Sequence, residues 1–175
     1  MATITVEILN NEGVEEDMKE LAKRLGDLSP AFDEIGQELQ VIVDDAFEEQ
    51  KDPDGKPWKP LSKTTLNMRL TREENPITST RLLSDSGRLR RSIRSTFRKR
   101  SATVGITGEA SVRGAVQQFG NPKNRLLNKP GFPLAPIPAR RFLPLDENGN
   151  LSLPKEKENM FAEIIVDYLL EGLFS

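Results

Sequence analysis

The 175-residue chain has no cysteine and no histidine. These two absences exclude a disulfide framework, a thiol nucleophile, a thiolate or imidazole zinc site, and any histidine-based triad or general base. A catalyst built from this sequence would have to use carboxylates, lysines, hydroxyls or the single tyrosine. Phosphate cradles are missing too, since there is no Gly-x-x-x-x-Gly-Lys-Ser/Thr and no Gly-x-Gly-x-x-Gly following a strand pattern. No window approaches the roughly 18 apolar residues that span a bilayer, and the first residues lack the basic-then-apolar pattern of a signal peptide. The sequence therefore predicts a cytoplasmic protein with no membrane contact. Apolar residues make up 36% of the chain. Adding glycine brings the figure to roughly 43%, under the roughly 45–50% of ordinary globular chains, so the core is modest and some surface is left for partners.

A formal net charge of -2 conceals a strong segregation of sign. Residues 1–54 carry 16 Asp and Glu against 4 Lys and Arg, whereas residues 81–100 carry 8 basic residues against Asp85 alone. An acidic front and a basic middle can pair inside one chain, pair copies head to tail, or present the basic stretch to nucleic acid.

Periodicity sketches the elements. Ile4, Val6 and Ile8 alternate with Thr3, Thr5 and Glu7, as in a half-buried strand over 3–9. Val14, Met18, Leu21, Ala22 and Leu25 recur at helical spacing up to Gly26. A second helix is predicted over 30–50, with Ser29 as N-cap, Pro30 at its first position, and an apolar stripe through Phe32, Ile35, Leu39, Ile42, Val43, Ala46 and Phe47. Its acidic residues Glu38, Asp44, Asp45, Glu48 and Glu49 read as a solvated face or as a surface for an electropositive partner, such as the arginines of a neighbouring copy. The stretch 52–60, with three prolines and a glycine, must be a loop, and it folds Trp58 back as an anchor or an interface hot spot. A weak helix over 62–70 starts at Ser62. A short helix opened by Ser84 or Asp85 precedes strands at 94–99 and 102–106, a helix at 110–118 stopped by Gly120, and a C-terminal helix over 154–173. Five prolines between Asn121 and Pro138 mark an extended functional loop over 119–140.

Catalytic and metal readings find little support. Asp44-Asp45 and Glu48-Glu49 are sequence neighbours that do not face each other on a helix, and nothing orients a base around Ser84, Ser86 and Lys99. Neither a metal nor a cofactor is expected. Nucleic-acid binding through the basic segment 81–100 is the alternative reading, but only Phe97 interrupts that segment as a stacking aromatic, and the chain as a whole is acidic. Arginine clusters serve equally well for bidentate pairing with carboxylates across a protein interface.

Five segments fall in a suggestive order. They are Asp52-Pro53-Asp54-Gly55-Lys56-Pro57-Trp58 with Leu61, then Leu82-Leu83-Ser84-Asp85-Ser86-Gly87-Arg88-Leu89-Arg90-Arg91-Ser92-Ile93, then Val104-Gly105, then Ala115-Val116-Gln117-Gln118-Phe119-Gly120, and finally Ile137-Pro138-Ala139-Arg140-Arg141-Phe142-Leu143. Together they resemble the phage virion morphogenesis family, the tail-completion proteins of Mu-like and related contractile-tailed phages. Gln117 stands where that family usually shows His, and Arg141 where it shows Pro. The resemblance implies a non-enzymatic virion component at the tail end or neck, made in the host cytoplasm, needed for tail completion and head-tail joining. It also implies a homo-oligomeric ring, a hexamer being favoured, in contact with tail tube, terminator or neck proteins.

The expected fold is one α+β domain over 1–175. A small, mainly antiparallel sheet (3–9, 94–99, 102–106 and a strand near 141–145) packs against the helix of 30–50, with flanking helices and the long Pro-rich loop. The candidate partner-binding residues are Trp58, Arg88, Arg91, Arg94, Gln117, Phe119, Arg140 and Phe142. Arg88, Arg91 and Arg94 are expected to pair with carboxylates of an adjacent protomer or tail subunit, and Phe119 and Phe142 to anchor the loop.

Overall fold

The computed structural model describes residues 12–72, 80–84, 86–121 and 136–173. The strand expected over 3–9, residue Asp85 and most of the 121–138 loop lie outside the described residues. Those described form six helices and a two-stranded antiparallel sheet, an α+β arrangement. The order is α1 (Glu12–Gly26), α2 (Ser29–Glu49), α3 (Lys63–Leu70), α4 (Arg88–Ser92), β1 (Ile93–Arg98), β2 (Ser101–Ile106), α5 (Ala110–Phe119) and α6 (Lys155–Leu170).

Helix α2 is the spine, because its apolar stripe is long enough to serve two clusters. Its first half buries Ala31, Ile35 and Leu39 with Ile164 of α6, and Phe161, Ile165 and Tyr168 close around them. Its second half buries Val43, Ala46 and Phe47 with Trp58, Leu82, Ile93, Phe142 and Leu143. Each large apolar side chain so buried contributes about 1.5–3 kcal/mol relative to exposure. The sheet lies across the same helix. Ile93, Ser95 and Phe97 of β1 stand opposite Ile106, Val104 and Ala102 of β2, on the face toward α2. The other face carries Arg94, Thr96, Arg98, Ser101 and Thr103, all exposed. Helix α5 comes close to β2 because Gly114 has no side chain; a Cβ there would sit 2.0 Å from the Ile106 Cδ1.

Several local expectations are corrected. Ser29 opens α2 as a helical residue rather than capping it, because its hydroxyl and its N–H both donate to the Asp27 carboxylate. Ser62 does cap α3, its Oγ accepting from the Thr65 N–H at 3.1 Å. Helix α4 starts later than expected. Gly87, at φ 68°, precedes it with no side-chain cap, and the Ser84 hydroxyl donates to the Leu82 carbonyl instead. Residues 141–145 form no strand; they make a single bridge between Leu145 and Leu151, for a reason given below. The acidic face of α2 is not simply solvated. Glu38 meets Lys157, Glu49 meets Lys51, and Asp44 and Glu48 are both held by Arg90.

Helix α1 departs most from its pattern. Its apolar residues Val14, Met18 and Leu25 stay about half exposed. The helix is docked instead through Arg24, which donates to the Tyr168 and Glu171 carbonyls at 2.9 and 2.8 Å and lies over the Tyr168 ring. A cation at the carbonyl end of α6 is favoured by the helix dipole as well as by these bonds.

Candidate functional site

The sequence-predicted residues separate into a buried group and an exposed one. The buried group begins where α2 ends. Gln50 adopts the left-handed conformation (φ 59°), and its side chain donates to the Phe47 carbonyl and accepts from the Leu82 N–H. The chain then makes the Asp52–Pro57 turn. The Asp52 carboxylate accepts from the N–H groups of Asp54 and Lys56, and Gly55 supplies φ 82°. This turn delivers Trp58 edge-on to Phe47, ring centroids 5.7 Å apart, with its indole N–H donating to the Arg141 carbonyl at 2.7 Å. Trp58 thus anchors its loop within the core.

The far end of the chain closes over it. Phe142, 0% exposed, packs 5.4 Å from Phe47 between centroids. Gln118 sets the position of Phe142. Its Oε1 accepts from the N–H groups of Phe142 and Leu143 at 2.9 and 3.0 Å, and its Nε2 donates to the Leu143 carbonyl at 3.0 Å. At Phe142 and Leu143 one side chain thereby takes the place of a partner strand, and the single bridge at Leu145 is the only backbone pairing of 141–145 among the described residues. Arg140 does the same for the other segment. It donates to the carbonyls of Lys59 and Pro60 at 2.9 and 3.2 Å and to the Gln117 Oε1 at 3.2 Å. Burial, and secondarily the charge of Arg69, lower the Arg140 pKa. Asn121 and Ile137 pair antiparallel, with Gly120 at φ 75° packed so closely that a Cβ would lie 2.8 Å from the Ala139 nitrogen.

Both departures from the expected motifs find a place in this clamp. Gln117 is the acceptor for Arg140. Arg141 pairs with Asp54 at 2.8 Å and donates to the Leu145 carbonyl, while its Nη2 is buried without a partner. The clamp therefore ties three of the five segments into one unit.

The exposed group is basic. Arg88, Arg91 and Arg94 lie on the surface, and among the described residues no carboxylate pairs with any of them. Arg91 donates to the Ser86 carbonyl at 2.8 Å and Arg94 to the adjacent Ile93 carbonyl at 2.7 Å. Their neighbours Arg90 and Arg81 are different. Arg90 donates to Asp44 at 2.9 Å and to Glu48, and Arg81 reaches Glu48 at 2.8 Å. Hydrogen bonds from Arg81 and then Arg90 pull the Glu48 carboxyl down to a pKa of about 2, and Glu48 in turn raises that of Arg90. The basic segment therefore has a part that closes against α2 and a part that does not. Phe119 is 45% exposed at the end of α5, beside the Asn121–Ile137 pairing, so it is not a buried anchor as Phe142 is.

No periodic pattern in the sequence marks Gln118 or Arg90. For Gln118 the available signal is a polar residue four positions after Gly114 on the buried side of α5. Among the described residues no group of three or more acidic side chains could hold a metal ion, and no helix is long and apolar enough to cross a membrane.

The model of the phage virion morphogenesis family matches residues 9–169. The chain belongs to that family. No curated protein and no solved structure matches it. Membership gives the chain a structural role in phage virion morphogenesis, and the match runs through every element of both the clamp and the basic surface.

Proposed function

We propose that the protein completes the phage tail and joins it to the head, acting at the tail end or neck as a ring of identical copies. The observation that carries this reading is the set Arg88, Arg91 and Arg94, exposed and without carboxylate partners among the described residues, in a chain of virion morphogenesis family membership. A guanidinium on a surface is well hydrated and needs no partner, but a group of them beside an internally neutralised pair is suited to carboxylates presented by another subunit. Ring closure requires two different surfaces on each copy, so that one face of a protomer meets the other face of the next. A chain with segregated charge supplies such surfaces. The clamp supports the reading by pairing Asn121 with Ile137 and holding the described segments on either side of that pair against the core.

Arg88→Glu with Arg91→Glu tests the proposal. The variant should lose ring formation, seen by light scattering and negative-stain imaging, and should fail to restore head-bearing tails in a complementation assay. Unchanged assembly at physiological salt overturns the role of these arginines.

A further inference from the structure

The structure also bears on which surface receives the arginines. Helix α2 is one acidic surface, yet four of its seven carboxylates, Glu38, Asp44, Glu48 and Glu49, are engaged within the chain. On α1, Glu15 and Glu20 are engaged as well, by Lys19 and by Lys23 and Arg24. Asp33, Glu34 and Asp45 of α2 have no ion pair among the described residues either, but they do not follow one another along one line of the helix; a row of that kind lies on and just after α6. Glu163, Asp167 and Glu171 follow one another at four-residue intervals, and all three are exposed. At 1.5 Å rise per residue, the row is about 12 Å long.

On the sheet, the face turned away from α2 has a matching row. Arg94 and Arg98 project from the same side of β1, four residues and about 13 Å apart at strand rise. Thr96 lies between them, with Thr103 across from it on β2. The Lys99–Arg100 turn extends the positive charge beyond the end of the strands. Antiparallel pairing and the cover of α2 fix this ribbon, so its arginines are presented at a set spacing. Val166 and Leu170, both about half exposed, flank the acidic row and give a docked ribbon an apolar border.

We propose that the basic outer face of the β1–β2 ribbon docks on the Glu163-Asp167-Glu171 row of α6 in a second copy of this chain. The contact is heterologous, ribbon on helix, and so it propagates from copy to copy. The inference rests on the ring reading above and adds to it the acceptor surface and the residues Arg98, Glu163, Asp167 and Glu171.

Charge reversal on each side, followed by recombination, tests it. Arg94→Glu with Arg98→Glu makes both surfaces acidic, and Glu163→Lys with Asp167→Lys makes both basic. All these positions are exposed, so circular dichroism should report wild-type folding for each variant. Neither variant alone should assemble at a concentration where the wild type does, and an equimolar mixture should recover the assembly by alternating the two chains. Assembly of either variant alone at the wild-type level overturns the docking while leaving the ring reading intact. Loss of assembly in both without recovery on mixing also overturns it, and assigns these charges to a different partner. A wild type that stays monomeric in low salt at the highest attainable concentration overturns both the docking and the ring.

Discussion

Arg140 and Arg94 carry the same side chain, and the fold uses them in opposite ways. Arg140 is buried, its donors directed at the Lys59 and Pro60 carbonyls and at Gln117, so its hydrogen bonds hold two distant segments together. Arg94 stands on the open face of a two-stranded ribbon and, among the described residues, donates to its own neighbour's carbonyl. Removing a partner from a buried, bonded group leaves the others unsatisfied at about 1–3 kcal/mol each, whereas an exposed charge costs the fold almost nothing to change. The difference separates residues that make the protein stable from residues free to meet something else.

The comparison is broken most severely at the clamp. Phe142→Ala should destabilise by about 3–5 kcal/mol, the range for truncating a buried aromatic, measured by urea denaturation. Gln118→Ala should fall not far short of it, since two buried N–H groups and a carbonyl lose their partner. The double reversal at Arg88 and Arg91 should stay within about 0.5 kcal/mol of wild type in the same measurement. If all three variants were equally destabilised, the separation of roles would be wrong.

A smaller effect sharpens the picture within the clamp. Trp58→Phe keeps an aromatic ring beside Phe47 while deleting the bond to the Arg141 carbonyl and a little ring volume, so a loss of about 1–2 kcal/mol is expected. A loss as large as that of Phe142→Ala would mean that the indole fills space that its smaller replacement cannot.

The smallest effect concerns the boundary between the two regions. Glu48 has its pKa lowered from 4.5 to about 2 by Arg81 and Arg90, so its contribution is complete above about pH 4.5 and is lost as the pH falls through about 2. Glu48→Gln should remove that part of the acid destabilisation while changing the unfolding midpoint little at pH 7, because the pair is solvent-exposed. Identical acid profiles for wild type and variant would place the titration elsewhere.

Much of this was legible in the sequence where a periodic pattern coincided with burial. The stripe of α2 and the alternation of β1 and β2 are cases where the local repeat and the core agree. The apolar stripe of α1 marked the helix and its end at Gly26 but not how the helix docks, because the repeat reports amphipathicity and not which side is covered; Arg24 docks it. The missing strand at 141–145 shows another limit. Phe142 and Leu143 suit a strand, but Pro144 has no N–H to pair, and the N–H groups of the two apolar residues are satisfied by the Gln118 side chain, about 24 residues away in sequence, a pairing that no local pattern encodes. The same limit hid Arg90, which looked like any arginine of its segment until α2 was placed beside it. For Trp58 the sequence left an anchor and an interface hot spot both open: Asp54-Gly55 dictates a tight turn and a lone indole in a proline-rich loop needs a surface to cover it, and the structure puts that surface inside the chain, on Phe47.

The Asn121–Ile137 pairing has an evolutionary corollary. It joins the two ends of a stretch before they enter the clamp, so the number of residues between them is decoupled from the core. Lengthening a loop already closed at its neck costs only about 0.6 kcal/mol per doubling of its length. Insertions between these two residues should therefore be among the mildest changes the gene can accept, making this the natural place for related chains to differ in size and for an epitope tag to be introduced.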